Sequence, residues 1–277
     1  MTAVPDIELN SGVKIPQLGF GVFQIPPSQT KAATLTALEV GYRHIDTAEM
    51  YGNEKEVGQA VRQSGLNRAD IFVTSKLRNG AHDPDVAISA FEQTLADLDL
   101  GYLDLFLMHW PLPAVGDFVA TWWAMEQMLA TGHVRAIGVS NFQPHHLRRL
   151  DEETTVVPAV NQIEIHPYLT QDDVRAVNAE LGIVTEAYSP LGQGEVLRDP
   201  TIVRIAQRLD RTPAQVTLHW QIQRGDVVFP KSVTRSRVEE NFRIFDFELT
   251  DDDMAAITAL NRNERVGLDP DTNNDAS

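Results

Sequence analysis

Regular alternation between short apolar runs and helical segments constrains the fold of this chain more than any other feature of its sequence. The apolar runs predict eight strands: Gln17–Phe23, Arg43–Thr47, Ile71–Leu77, Leu103–His109, Val134–Asn141, Ala159–His166, Ile183–Ser189 and Asp226–Val233. Between them lie segments with helical periodicity and the length of a crossover helix, among them Pro84–Asp99, Phe118–Thr131, Gln171–Leu181 and Pro213–Gln223. This order favours an α/β protein built as a (β/α)8 TIM barrel, although an open doubly wound sheet has similar local patterns.

Segments outside the repeat must also be placed. Ile7–Ile15, with Asn10-Ser11-Gly12 at its centre, predicts a β-hairpin that could plug one end of the barrel. The interval Pro190–Gly225 is long enough for two helices, one more than the repeat requires. The polar tail Arg262–Ser277 is compatible both with a frayed terminus and with a loop that covers the substrate. We expect a single domain over residues 1–277, which is the usual size of one barrel.

Composition and charge exclude several classes of function. A net charge of −16 and a pI near 4.8 disfavour nucleic acids and anionic membranes as partners, so an anionic ligand needs a local cationic patch. Without cysteine there is no disulfide, no thiolate nucleophile and no cysteine-ligated metal. No run of about 18 apolar residues occurs, and the amino terminus lacks the pattern of a signal peptide. We therefore expect a cytoplasmic monomer that acts on a small molecule.

Polar side chains recur at the carboxyl ends of the predicted strands. They are Asp46, Lys76, His109, Ser140, Asn141, Tyr188, Ser189, Lys231 and Ser232, and Gln162 lies within the sixth strand. A lysine or histidine that stands alone in such a position is most often solvated or packed. Because the carboxyl ends of barrel strands meet at one mouth, the whole set predicts a functional site there.

Four residues of this region form a chemically coherent group. Asp46 can neutralise Lys76, and the ammonium of Lys76 can favour the phenolate of Tyr51, five positions after Asp46. A free tyrosine titrates at about 10, so a lowered pKa would make Tyr51 a usable general acid. A neutral His109 can donate a hydrogen bond to a carbonyl oxygen beside it. The residues therefore predict proton donation to a developing oxyanion.

Other chemistries find less support in the sequence. The histidines His109, His145, His146 and His166 do not form a zinc-like ligand set, so we predict no metal site. The segment Gly138-Val-Ser-Asn-Phe142 lacks the second glycine of a nucleophile elbow, which disfavours a serine hydrolase. No G-x-G-x-x-G occurs, so a dinucleotide would not bind in the Rossmann manner.

A cationic patch follows the eighth predicted strand. The segment Lys231-Ser-Val-Thr-Arg235-Ser-Arg237 opens the last barrel helix. Lysine, arginine and a serine hydroxyl at a helix amino terminus are typical of a phosphate site. A solvated basic turn is the alternative, but at the mouth of a barrel in so acidic a chain we favour the phosphate.

The segment Gly41-Tyr-Arg-His-Ile-Asp46-Thr-Ala-Glu-Met-Tyr51-Gly-Asn-Glu54 resembles the signature of the aldo-keto reductase superfamily. Lys76 and His109 match the remaining members of that family's catalytic tetrad. The similarity runs from the opening hairpin to about Arg262. It implies that Asp46, Tyr51, Lys76 and His109 are catalytic, with Tyr51 as the proton donor.

The resemblance also implies a site for a nicotinamide cofactor. The family's carboxamide contacts correspond to Ser140, Asn141 and Gln162, and its ring-stacking aromatic corresponds to Tyr188. Its pyrophosphate contacts correspond to Ser189, Leu191 and Gln193. Its 2′-phosphate and adenine contacts correspond to Lys231, Ser232, Val233, Arg237, Glu240 and Asn241. Because Lys231 and Arg237 are both present, NADPH is expected rather than NADH.

Within the superfamily, the segments 15–24 and 158–167 are similar to bacterial 2,5-diketo-gluconic acid reductases. The implied substrate pocket consists of Phe23, Met50, Arg78 and Trp110, with Trp122 or Trp123 as further candidates. Arg78 stands where relatives commonly have tryptophan, and Tyr188 stands where this bacterial group often has tryptophan. A cation at the pocket rim suggests acidic or polyoxygenated substrates, but Arg78 could equally pair with a nearby acid.

Together these features predict an NADPH-dependent reductase of small aldehydes, ketones, α-dicarbonyls or keto-sugars. One alternative is a sensor or interaction protein that binds NADPH with little turnover, since a fold does not determine a function. Another is a metal-assisted barrel hydrolase or isomerase. The complete tetrad favours the reductase over both.

Overall fold

The computed structural model describes residues 4–276 and contains an eight-stranded parallel sheet. Strands β1 (Asp6–Glu8) and β2 (Lys14–Pro16) form a separate hairpin. The sheet strands are β3 (Phe20–Gly21), β4 (His44–Asp46), β5 (Phe72–Leu77), β6 (Leu103–Met108), β7 (Val134–Ser140), β8 (Val160–Glu164), β9 (Val184–Tyr188) and β10 (Val227–Val228). Each pairs with the next in chain order, as expected when every crossover contains a helix.

The first and last strands of the sheet meet and close it into a barrel. Leu18 forms a parallel bridge with Val228, and the N–H of Gly19 donates to the carbonyl oxygen of Val228 at 2.8 Å. The prediction of a (β/α)8 barrel is therefore confirmed, and an open doubly wound sheet is excluded. Both closing strands are shorter than predicted. On the β10 side this is expected because Pro230 has no N–H to donate.

Helices pack around the outside of the barrel. They are α1 (Pro27–Val40), α2 (Glu54–Gln63), α3 (Pro84–Leu98), α4 (Phe118–Ala130), α5 (Pro144–Glu153), α6 (Asp172–Glu180), α7 (Pro200–Leu209), α8 (Pro213–Gln223), α9 (Arg235–Phe242) and α10 (Asp251–Thr258). Helices α7 and α8 confirm that the interval Pro190–Gly225 contains two helices. Within residues 4–276, no helix combines the length and apolar character that crossing a membrane requires.

Local capping chemistry explains where several helices begin. The side chain of Asp83 accepts hydrogen bonds from the N–H groups of Asp85 and Val86, and Pro84 occupies the first helical position of α3. A start for α5 was expected within the segment 141–144. Its cap is Gln143, whereas Asn141 takes a left-handed conformation with φ 65°.

The hairpin closes the amino-terminal end of the barrel, as predicted. Ile7 pairs with Ile15 across its two strands. Leu9 and Ile15 are buried against residues of β5 and β6, including Phe72 and Leu105. Because this end is filled with apolar side chains, the polar strand termini are left at the opposite, carboxyl end.

The carboxyl-terminal tail crosses the carboxyl end of the barrel. The buried carboxylate of Glu164, at the end of β8, accepts hydrogen bonds from the N–H groups of Val266 and Gly267 at 2.6 and 2.9 Å. Asn79, after β5, donates to the carbonyl oxygen of Asp275 at 2.7 Å. These bonds show that the described part of the tail is held in place rather than frayed. Ser277 lies outside the described residues.

Candidate active site

A buried ion pair lies at the carboxyl end of adjacent strands. The Nζ atom of Lys76, on β5, donates to both carboxylate oxygens of Asp46, on β4, at 2.7 and 2.8 Å, and to the carbonyl oxygen of Thr47 at 2.9 Å. Lys76 is fully buried and Asp46 is 2% exposed. A charge can be held in such a place only with a partner, so this pair is a built feature of the fold.

Tyr51 lies directly beside this ion pair. It ends a 3₁₀ turn, Glu49–Tyr51, that follows β4. Its hydroxyl oxygen is 3.5 Å from the Nζ atom of Lys76, and its ring lies 5.9 Å from the ring of His109 in an edge-on arrangement. The structure thus brings together Asp46, Tyr51, Lys76 and His109 at one point.

The pKa of Tyr51 differs from the expectation. The ammonium of Lys76 does favour the phenolate, but burial of the phenol outweighs it, and the net effect is a pKa above the ordinary value of 10.0. The expectation of a lowered pKa in the protein by itself was therefore wrong. For Lys76 the balance is reversed: burial lowers its pKa, but Asp46 and Tyr51 more than offset this, so the ammonium stays charged.

His109 follows β6 and is 8% exposed. Burial, reinforced by the positive charge of Lys76, holds its pKa well below 6.5, so the imidazole is neutral at physiological pH. Its Nδ1 atom has no hydrogen-bond partner among the described residues. A neutral ring of this kind can donate one hydrogen bond to a carbonyl oxygen without becoming charged itself.

A second polar network connects the ends of β7, β8 and β9. Asn141 donates to the carbonyl oxygen of His109 at 3.0 Å and accepts a hydrogen bond from the hydroxyl of Tyr188 at 2.8 Å. Ser140 donates to the carbonyl oxygen of Gln162 at 2.9 Å. The left-handed backbone of Asn141 is uncommon for a residue with a side chain and turns its amide toward these partners. The four predicted carboxamide and stacking residues therefore lie together, next to His109.

Glu186 belongs to this network and was missed by the sequence analysis. It is fully buried on β9, and Gln162 donates to it at 2.8 Å while also donating to Asp46 at 2.9 Å. A signal was available, because strand side chains alternate between faces and Glu186 is two positions before Tyr188. An acidic residue on the same face of a strand as a predicted site residue merits attention.

The segment after β9 has the backbone of a tight loop. Ser189 and Gln193 have positive φ values of 47° and 53°, and Leu191 precedes the 3₁₀ turn Gly192–Gly194. Ser189 and Leu191 are half-buried, and Gln193 is exposed. The predicted pyrophosphate contacts are thus placed in one loop at the carboxyl end of the barrel.

The cationic patch divides into paired and unpaired residues. Arg235 forms ion pairs with Glu39 and Glu239 at 2.9 and 3.0 Å. Lys231 and Arg237 are exposed, and within residues 4–276 neither has an acidic partner. The other predicted phosphate and adenine contacts lie in the same segment: Ser232 is buried, Val233 is exposed, Glu240 accepts a hydrogen bond from Thr212, and Asn241 is buried. Two unpaired cations in a chain of net charge −16 are suited to an anionic ligand.

Apolar side chains are exposed next to Tyr51. Phe23 is 52% exposed, and its ring lies 5.0 Å from the ring of Tyr51, while Met50 is 48% exposed. The guanidinium of Arg78 forms an ion pair with Glu49 at 2.5 Å. Of the two expectations for Arg78, a pair with a nearby acid is therefore the one that the structure contains. Trp110 follows His109 and is half-buried.

The two further tryptophans of the sequence analysis have different environments. Trp122 is fully buried in α4, where its indole N–H donates to the carbonyl oxygen of Val156 at 2.9 Å, so its role is core packing. Trp123 is 50% exposed on the same helix. Adjacent residues on a helix point about 100° apart, which explains why one enters the core and the other does not.

The tail brings an acidic residue, Asp271, close to the two adjacent histidines His145 and His146. Potential ligand atoms of His145, His146 and Asp271 lie within 4.8 Å of one another. However, Nδ1 of His146 accepts a hydrogen bond from the N–H of Gln143, so the neutral ring carries its proton on Nε2, which faces Asp271. That atom is 4.0 Å from Asp271 and has no hydrogen-bond partner among residues 4–276, and while it carries the proton it cannot ligate a metal.

Several known proteins are similar to this chain over nearly its whole length. Residues 17–262 match the model of the aldo/keto reductase family. An aldo-keto reductase of Mycolicibacterium smegmatis is 50% identical over 98% of each chain, and the methylglyoxal reductase DkgA of Escherichia coli is 45% identical over 96% of each. The crystal structure of a Bombyx mori aldo-keto reductase in complex with NADP has a TM-score of 0.91 and 35% identity, covering 96% of this chain and 95% of that one.

Proposed function

This chain belongs to the aldo/keto reductase family, and on that basis we propose that it is an NADPH-dependent reductase of small carbonyl compounds with Tyr51 as its proton donor. The observation that carries the proposal is the position of Lys76. Its ammonium lies between the carboxylate of Asp46 and the hydroxyl of Tyr51, in a place closed to water. Few structural roles require a fully buried lysine at the mouth of a barrel.

Each residue of the group has a distinct task in the proposed reaction. NADPH, when bound, would supply hydride chemistry at the carbonyl carbon. Tyr51 donates its proton to the oxygen, and the neighbouring ammonium of Lys76 stabilises the phenolate that remains. Neutral His109 holds the oxygen by a hydrogen bond, and Asp46 holds Lys76 in position. Because the pKa of Tyr51 is raised, the phenol remains protonated, and thus competent for reduction, throughout the neutral range.

The residues present fit a phosphorylated dinucleotide. The unpaired side chains of Lys231 and Arg237 would hold the 2′-phosphate, beside the amino terminus of α9. The amides of Asn141 and Gln162 and the ring of Tyr188 would hold the nicotinamide. This donor set supports NADPH rather than NADH.

Replacing Arg237 by alanine is expected to weaken NADPH binding by about tenfold to a hundredfold and to leave NADH binding nearly unchanged, because a charge-assisted hydrogen bond to the phosphate is lost. Titration of the reduced cofactors by fluorescence measures both affinities. Arg235→Ala is the matched control, since Arg235 is already engaged by Glu39 and Glu239. Equal losses for the two cofactors would contradict the assignment.

We also propose that Arg78 favours substrates that carry a carboxylate or several oxygen atoms. Only its Nη1 atom is bound by Glu49, so the rest of the guanidinium fork can meet a substrate at the rim. Arg78→Trp is expected to lower the ratio of kcat/KM for a keto acid to kcat/KM for a neutral aldehyde by roughly threefold to tenfold. Glu49→Gln should raise the same ratio. An unchanged ratio in Arg78→Trp would remove the hypothesis.

The main alternative is a protein that binds NADPH without meaningful turnover. Following NADPH absorbance against a panel of aldehydes, α-dicarbonyls, keto acids and keto-sugars distinguishes the two. We expect oxidation of NADPH with several members of the panel. Tight NADPH binding with no oxidation across the panel would favour the alternative.

A further inference from the structure

Glu186 is a buried acid that the proposed mechanism does not use. It lies on β9 in register with Gln162 of β8, and no part of its side chain is exposed. One of its oxygens, Oε1, has no hydrogen-bond partner among residues 4–276. A carboxyl group placed in this way loses its hydration without full compensation, so a chain that retains it is expected to use it.

The contact of Glu186 with Gln162 restricts what Gln162 can offer to a ligand. The Nε2 atom of Gln162 donates to Glu186 at 2.8 Å and to Asp46 at 2.9 Å, which uses both of its hydrogens. Its side-chain oxygen, Oε1, accepts no hydrogen bond from residues 4–276, whereas its backbone carbonyl oxygen accepts one from Ser140. The side-chain amide of Gln162 is therefore held in one orientation with its oxygen free. That oxygen can accept a hydrogen bond from the N–H of a carboxamide.

The charges around Glu186 balance only while it is protonated. The charged groups that face it are Asp46 from β4 and Lys76 from β5; β8 contributes the uncharged Gln162, and β10 contributes Val227. Asp46 and Lys76 neutralise each other. An ionised Glu186 would leave one uncompensated negative charge in the barrel, which would disfavour the phenolate of Tyr51.

Burial raises the pKa of Glu186 to about 8, and the negative charge of Asp46 adds to this effect, while Gln162 and Lys76 only partly oppose it. Glu186 is thus neutral at physiological pH and ionises at mildly alkaline pH. Tyr51 does not lose its proton in this range, because its own pKa is above 10.0.

We propose that Glu186 is a positioning residue that acts through Gln162: in its protonated form it fixes the amide for the cofactor and keeps the Asp46–Lys76–Tyr51 group free of excess negative charge. The inference rests on the proposed function for its link to turnover. Its structural part, the control of Gln162, does not depend on any particular substrate.

Two substitutions separate the hydrogen bond from the charge. Glu186→Gln keeps an acceptor for Gln162 and cannot ionise, whereas Glu186→Leu removes the acceptor. At about pH 7, Glu186→Gln is expected to bind NADPH as the wild type does, and Glu186→Leu to bind it about fivefold more weakly or worse, with a smaller effect on kcat. NADPH affinity that is unchanged in Glu186→Leu would overturn the proposal.

The pH dependence tests the charge. In the wild type, kcat/KM for reduction is expected to fall as the pH rises through about 8, and in Glu186→Gln this decline should move to higher pH. Glu54→Gln is the matched control, because Glu54 is another buried acid whose pKa burial raises, to about 7, but it is bonded to Ser75 and Thr94 instead of Gln162. A decline that is unchanged in Glu186→Gln, or shifted equally in Glu54→Gln, would contradict the role of Glu186.

A readout on the protein without cofactor keeps the inference independent of turnover. The pKa of Glu186 is higher in the folded protein than in the unfolded chain, so its contribution to stability is present at low pH and is lost as the pH rises through about 8. The thermal midpoint should therefore fall more between about pH 5 and pH 8 in the wild type than in Glu186→Gln, because over this range the unfolded chain ionises at position 186 and the folded protein does not. Parallel curves would count against an ionisable Glu186. If the wild type reduced no carbonyl at all, the proposed function would fail, while binding and unfolding would still decide the inference.

Discussion

Phenylalanine at position 51 is expected to lower turnover by about a hundredfold or more while leaving NADPH binding intact. The substitution removes only the hydroxyl that lies 3.5 Å from the Nζ atom of Lys76. The ring itself, with its contacts to Phe23 and His109, is retained. Single-turnover measurement of NADPH oxidation gives the chemical rate, and fluorescence titration gives the cofactor affinity.

The kinetics of Tyr51→Phe show whether Tyr51 donates a proton or only contacts the substrate. A proton donor affects kcat far more than KM, because its contribution is made in the transition state. Near-normal turnover in this variant would remove the mechanism. A rise in KM with unchanged kcat would show that Tyr51 only contacts the substrate.

Replacing Lys76 by methionine is expected to produce a large effect on both stability and activity. It leaves the carboxylate of Asp46 buried without its partner, which costs about 3–5 kcal/mol in the free energy of unfolding. It also removes the ammonium that stabilises the phenolate of Tyr51, so turnover should fall by about a hundredfold or more. Denaturant unfolding and steady-state kinetics measure the two effects separately.

A double variant resolves the two roles of Lys76. In Asp46→Leu/Lys76→Met the buried charges are both absent, and replacement of an ion pair by apolar side chains is often close to neutral for stability. We therefore expect most of the stability to return while turnover stays low. Recovery of turnover together with stability would show that the ion pair is structural only.

Much of the fold could be predicted because it depends on local periodicity. Strand and helix patterns repeat along the chain, and helix caps such as Asp83 before Pro84 accompany them. These patterns locate the successive strand and helix units in the sequence. The bridge between Leu18 and Val228 and the held tail could not be predicted in the same way. Their hydrogen bonds join residues far apart in sequence, such as Glu164 with Gly267.

Some features of the candidate site could be predicted from the sequence, and others could not. Residue types and strand ends were sufficient to select Asp46, Lys76 and His109, because the topology of a parallel barrel brings such positions together. The sign of the pKa shift at Tyr51 was wrong, because it depends on how deeply the phenol is buried as well as on the charge beside it. Glu186 was missed because its importance lies in a contact with Gln162 on a neighbouring strand.

The sequence by itself determined the eight strand and helix units, the set of polar residues at the strand ends and the position of the cationic patch, since each follows from the order and type of residues along the chain. Only the tertiary structure decided which charges are paired, which acids are kept neutral and where the tail lies. Those properties depend on desolvation and on distances of a few ångströms between side chains from separate strands. Both the desolvation of these side chains and the distances between them are set only when the barrel has closed.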